Sequence, residues 1–320
     1  MVRPMSTSAV LAPSVRAAFG ALVDYAGLFP PAKLAMPDAV AEYDAARRGP
    51  YAWMLGRFIV PASRLAELTG AIGGLEPFAL SVIVDADADA RRWFGSAQRC
   101  LGEVAAYRLS EPRIRIEALE AALPPLLSQR ETYDATLGQF AGLVSRAGLR
   151  DLEIYTEWPR DERWHELLPS TMTAAARSRI GAKIRCGGLT PDAYPSVADV
   201  AAFVDAAATE HVAFKATAGL HHPVRHHNAQ AGVYMHGFLN LVAAAALAHR
   251  VSRETLEQIV AEEDPAAFAF DDESMTWRDD RVALDELTAA RGDDFVAYGS
   301  CSFSEPVDDL TALTILPRGA

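Results

Sequence analysis

Short runs of β-forming residues alternate with longer Ala-, Leu-, Arg- and Glu-rich runs of helical period along nearly the whole chain. The expected strands cover residues 21–26, 53–60, 78–84, 113–118, 151–156, 181–186, 212–217 and 267–271. The expected helices between them cover residues 38–48, 63–72, 88–107, 133–147, 162–179, 197–210 and 237–249. Strands joined through helical crossovers return in the same direction, so the pattern predicts a parallel sheet flanked by helices. Eight such strands can close into a (β/α)8 TIM barrel. An open doubly wound sheet would more often carry a glycine-rich phosphate turn after its first strand. That turn reads Gly27-Leu28-Phe29-Pro30-Pro31 here, without the required glycine spacing. The expectation is therefore one domain over residues 1–320, with residues 277–320 as a C-terminal extension packed on the barrel.

Charge and cysteine content narrow the function classes. The formal net charge of −12 opposes binding to a phosphate backbone, so no nucleic-acid partner is expected. Cys100, Cys186 and Cys301 are far apart and form no C-x-x-C pair, which predicts a reducing, cytoplasmic setting. The first twenty residues show no compact apolar run of signal-peptide type. The apolar run 239–248 is too short to span a bilayer, so no membrane partner is expected either. A homo-oligomer is compatible with these features.

Alternation along the strands supplies the candidate site. Side chains at i and i+2 share a face. Lys183 and Arg185 therefore share one on the sixth strand, and Lys215 and Thr217 on the seventh. Glu153, Tyr155 and Glu157 do so on the fifth, and Arg113, Arg115 and Glu117 on the fourth. Asp24, Arg57 and Asp85 come from the first three strands. The outer face of a barrel strand lies under helices and must be apolar, so this polar set is expected to face the lumen, with Lys183, Arg185 and Lys215 near its C-terminal rim. A lysine desolvated beside other cations can attack a carbonyl as the free amine. Lys183, with Arg185 and Lys215 as neighbours, is the candidate nucleophile and Lys215 the tuning cation. Arg57 and Arg185 are the candidate anion clamps, and Glu153, Glu157 and His221 the candidate proton carriers. Asp24, Asp85, Glu117, Tyr155, Thr217, Gly219 and His222 are the remaining candidate binding residues. The implied substrate is a small carbonyl compound bearing a carboxylate or phosphate.

Two strings carry a resemblance. GAKIRCGG (181–188) and FKATAGLHHP (214–223) resemble the sixth and seventh strands of class I aldolases of the deoxyribose-phosphate aldolase type. That resemblance implies a Schiff-base lysine at Lys183, a pKa-lowering neighbour at Lys215, and a phosphate approached by the backbone at Ala218 and Gly219. The chain also resembles a bacterial barrel family sharing DYAGLFPPA, KIRCGG and KATAGLHHP strings, which brings no activity with it.

A second reading rests on five histidines, His221, His222, His226, His227 and His236, just after the seventh strand. Imidazoles there could hold a metal for a hydrolase or lyase. Their spacing matches neither H-E-x-x-H nor a C2H2 pattern, and the first strand reads Val23-Asp24-Tyr25 where barrel hydrolases carry H-x-H. No metal and no cofactor is therefore expected. A non-catalytic barrel that binds a metabolite is the third reading.

Overall fold

A computed structural model describes residues 11–128 and 130–318. The first ten residues, half of the stretch read as lacking a signal-type run, lie outside them. Eight strands, Val23–Tyr25, Leu55–Pro61, Phe78–Ile83, Ile114–Ala122, Glu153–Glu157, Gly181–Arg185, Phe214–Thr217 and Phe295–Ser300, pair in chain order. The last strand pairs in parallel with the first, Val23 opposite Tyr298 and Tyr25 opposite Ser300, which closes the barrel. The fold is a (β/α)8 TIM barrel.

Its construction follows the alternation of the strands. Phe58, Val60, Leu80, Val82, Ile116, Leu119, Ala182, Ile184, Phe214 and Ala216 are buried on the outer faces, where helices cover them. Burying a side chain of Val, Leu, Ile or Phe fully is worth about 1.5–3 kcal/mol, so this sleeve accounts for much of the barrel's cohesion. The helices begin where the sequence supplies caps. Asp89 accepts from the Arg91 amide at the head of Ala90–Ser110, and Ser196 and Asp199 form a reciprocal capping box on Val197–Thr209. Helix Phe238–Leu247 is buried along its whole length, as its apolar sequence requires. It lies against helix Arg253–Ala261 and the eighth strand, with the Phe238 ring stacked on Tyr298 at 5.2 Å.

The eighth strand is not where the sequence pattern puts it. Residues Phe268–Phe270 begin a three-stranded antiparallel sheet with Ser274–Trp277 and Asp280–Ala283. The Asp271 carboxylate accepts from the Glu273 and Ser274 amides, so residues 271–273 form a hairpin turn. Alternating apolar residues mark a short strand without saying which sheet it joins. The barrel is completed by Phe295–Ser300, inside the stretch 277–320 assigned to an extension. Ala297 and Gly299 there are small, so the strand brings little into the lumen. A chain ending at residue 279 would lose this strand and leave the first and seventh strands with unpaired edges. We expect it to show no cooperative transition in urea by circular dichroism, where the full chain shows one.

Candidate active site within the barrel

The lumen holds a chain of alternating charges. Lys215, only 1% exposed, donates to Asp24 Oδ2 at 2.5 Å and to Glu120 Oε1. The other oxygen of Glu120 accepts from Lys183 Nζ at 2.6 Å, and Ser81 Oγ donates to Glu120 at 2.6 Å. Asp24 also accepts from the Arg57 amide at 2.6 Å. Beyond Lys183 stand Glu157, 4.0 Å from Nζ, and Arg185, whose Nε lies 2.9 Å from Glu157. Buried charges survive only when paired and hydrogen-bonded, and two lysines facing two carboxylates meet that condition. Tyr155 closes one wall, its ring 5.4 Å from Lys215 Nζ and its hydroxyl donating to Glu153 at 2.7 Å.

Glu120 is the residue strand alternation does not find. In the fourth strand Leu80 faces Ile116 but Ser81 faces Ala118, so Glu117 is an extra residue. Such a bulge shifts the side-chain phase by one position. Unbroken alternation from Arg115 and Glu117 would send Leu119 inward, whereas the bulge sends Glu120 there instead. Arg113 lies ahead of the strand and pairs with Glu111, so it takes no part in the lumen. The bulge also changes the charge state expected of the lysines. Lys183 and Lys215 are opposite one another in register, as anticipated, but Glu120 stands between their amines. Burial alone would lower the Lys215 pKa, yet Asp24 and Glu120 outweigh it and the net shift is upward. Lys183 is likewise ion-paired, not left among cations, so the geometry gives the free-amine nucleophile no support.

The polar set is also split between the two ends of the barrel. Arg57, Glu117 and Glu153 lie at the N-terminal mouth, where Arg57 pairs with Glu117 at 3.2 Å and Glu153 at 2.7 Å. They line a cavity of about 880 Å³ with Asp24 and Tyr155. Lys183, Arg185 and Glu157 instead line a pocket of about 200 Å³ at the C-terminal ends of strands five and six, with Arg160, Asp192 and Trp158. Arg57 and Arg185 therefore cannot clamp one small substrate, and Glu153 and Glu117 stand away from Lys183. The larger cavity is at the end where barrels of this kind do not place their chemistry; catalytic groups project from the C-terminal ends of the strands. The smaller pocket, which holds Lys183, is accordingly the candidate active site.

The remaining candidates are dispersed. Asp85 is exposed and accepts from the Ser63 amide at 2.7 Å, outside the lumen. Thr217 ends the seventh strand, and its carbonyl accepts from the Cys186 amide. The thiol of Cys186 is fully enclosed and burial pushes its pKa up to about 12. Gly219 has φ +69°, and a Cβ there would lie 2.6 Å from the Cys186 carbonyl oxygen and 2.9 Å from Gly187 Cα. The glycines of the two motifs thus let the sixth and seventh loops touch. His221 and His222 bind Glu305 and Asp309 of the last helix, Ser304–Ala312, at 3.0 and 2.6 Å. His226 contacts the Val224 carbonyl and His236 the Pro195 carbonyl. Among the described residues no three His, Cys, Asp or Glu side chains converge as metal ligands. The histidine loop instead fastens the C-terminal helix to the barrel mouth.

No protein-family model matches the chain, and no curated protein matches it. Among solved structures, a xylose isomerase-like TIM barrel protein from Mycobacterium smegmatis, in complex with magnesium, is similar at 12% identity. The likeness covers 72% of this chain and 90% of that one with a TM-score of 0.39, too low to support any inference about chemistry. The barrel assignment stands on the strand pairing itself. Among the described residues no helix is long and apolar enough to cross a membrane.

The ion chain sets a pH profile. Burial would raise the Glu120 carboxyl, but Lys183 and Lys215 outweigh it and hold it well below the usual carboxylate range. Its contribution to stability is therefore present above the unfolded value of about 4.3 and lost as pH falls through the lower folded value. The raised Lys215 contributes below about 10.4 and loses its effect as pH rises through its folded value. Glu120→Gln leaves two buried ammonium groups with one carboxylate fewer, and we expect a loss of about 3–5 kcal/mol at pH 7. Urea unfolding between pH 3 and 7 should show the gap between wild type and variant shrinking toward the acid end.

Proposed function

We propose that this barrel is an enzyme acting on a small carbonyl compound with an anionic group, in aldol-type cleavage or addition, through Lys183 in its ammonium form. The observation that carries the reading is the position of Lys183 at the end of the buried ion chain. Its Nζ is fixed at 2.6 Å by Glu120, and its side chain lines the C-terminal pocket beside Arg185 and Glu157. A preoriented cation in a water-poor site stabilises negative charge developing on an oxygen, and such groups supply large parts of enzymatic rate enhancements. Arg185 and Arg160 offer guanidinium groups for a carboxylate or phosphate, and a pocket of about 200 Å³ suits a molecule of few heavy atoms.

In the cleavage direction, Glu157 takes the proton of the hydroxyl β to the carbonyl and the carbon–carbon bond breaks. The electron pair moves onto the carbonyl oxygen, where the Lys183 ammonium stabilises the enolate. The proton then returns from Glu157 to carbon. No bond to nitrogen forms, which distinguishes this route from the iminium chemistry implied by the resemblance to class I aldolases. Glu120 holds the Lys183 amine in place, and Lys215 in turn holds Glu120. The metabolite-binding alternative needs the same pocket without turnover.

The test is exchange of carbon-bound hydrogen with deuterated solvent, followed by NMR over a panel of small hydroxy and keto acids and phosphorylated aldehydes. Wild type is expected to catalyse exchange or cleavage of at least one compound, and Lys183→Met to slow it by about 10²–10³. Borohydride should leave activity intact. A borohydride-trapped adduct on Lys183 would restore the iminium route, while compounds that bind at the rim without exchange or cleavage would favour the binding module.

A further inference from the structure

The N-terminal cavity contains a buried cation with no counterion. Arg291 lies in the turn leading into the eighth strand, lines the cavity and is more than nine-tenths buried. Its Nε and Nη2 donate to the carbonyls of Ala18, Gly20 and Val296. Its Nη1 meets no acceptor, and no carboxylate lies within ion-pair distance among the described residues. Burial depresses its pKa to about 10, which leaves the guanidinium charged at neutral pH.

A second guanidinium on the same cavity, Arg47, has a counterion in Asp44 but also keeps one unpartnered nitrogen. Arg47 donates through Nη1 and Nη2 to the Glu76 and Pro77 carbonyls and to Asp44, yet its buried Nε has no acceptor. Of the acids on the walls, Asp24 is engaged by Lys215, and Glu117 and Glu153 by Arg57, while Glu76 is exposed and forms no ion pair with Arg291. Arg115 reaches the cavity with a largely exposed side chain held only by Glu117 at 3.3 Å. An uncompensated buried charge is costly, and the cheapest compensation in a space of about 880 Å³ is a ligand carrying anionic oxygens.

We propose that the N-terminal mouth is a second ligand site, separate from the C-terminal pocket. It takes a small organic anion, a phosphate ester or a polycarboxylic acid, whose oxygens accept from Arg291 Nη1 and from Arg115. This goes beyond the catalytic reading and does not depend on it. The site also touches the ion chain through Asp24, which lines the cavity while accepting from Lys215.

Calorimetric titration of the full chain with inorganic phosphate, and separately with citrate, tests it. Saturable binding of at least one probe, at a site retained in Arg185→Gln, is expected: of phosphate if the ligand is a phosphate ester, of citrate if it is a polycarboxylic acid. Arg115→Gln should weaken that binding about tenfold or more, the usual effect of losing a charge-assisted hydrogen bond. Arg291→Met should abolish it. Arg291 also holds three backbone carbonyls, so circular dichroism must confirm its fold, and Arg115→Gln carries the test should it fail to fold. Arg185→Gln, at the opposite mouth, should leave the affinity unchanged. Absence of saturable binding of both probes would overturn the proposal, as would binding weakened by Arg185→Gln but not by Arg115→Gln. Because the readout is affinity and not turnover, failure of the catalytic reading would leave this result standing.

Discussion

Four charges in the barrel lumen, Asp24, Lys215, Glu120 and Lys183, bind one another in sequence. Each comes from a different strand, so the ion chain ties the first, seventh, fourth and sixth strands together across the lumen. Most barrels fill that space with branched apolar side chains in layers; here the centre is polar and neutral only as a set. Removing one member leaves another buried without its partner, which costs more than the pair itself contributes. The arrangement therefore imposes a shared constraint: register, bulge and strand closure must all be correct before any of the four is satisfied.

The chain of charges also relates the two mouths. Asp24 forms part of the N-terminal cavity wall and Lys183 part of the C-terminal pocket, with Lys215 and Glu120 between them. A shift of charge at one end changes the field at the other over a path of short hydrogen bonds in a low-dielectric interior.

Much of this could be read from residue order, and the limits have identifiable causes. The barrel, the inward lysines of strands six and seven and the inward Glu157 follow from period-two alternation with apolar residues under the helices. Alternation says which side of a strand a residue occupies, but not how far along the barrel axis it sits. Arg57, Glu117 and Glu153 were therefore grouped with Lys183 although they lie at the other mouth. It also fails across a bulge, where one extra residue hides Glu120 and, with it, the counterion of both lysines. Ser81 was within reach of the same reasoning, as a polar residue opposing Leu80 and Val82. The pairing of His221 and His222 with Glu305 and Asp309 depends on where the last helix docks, which no local pattern encodes.

The place of the closing strand has a consequence for how the molecule is made. Val23–Tyr25 is synthesised early, but its partner Phe295–Ser300 arrives some 270 residues later, after the small antiparallel sheet has intervened. Until then Asp24 lacks a closed lumen, and one edge of the first strand stays open to other chains. Non-local pairings of this kind slow folding and prolong exposure to aggregation. On the ribosome, all eight barrel strands must emerge before the barrel can shut around its charged lumen.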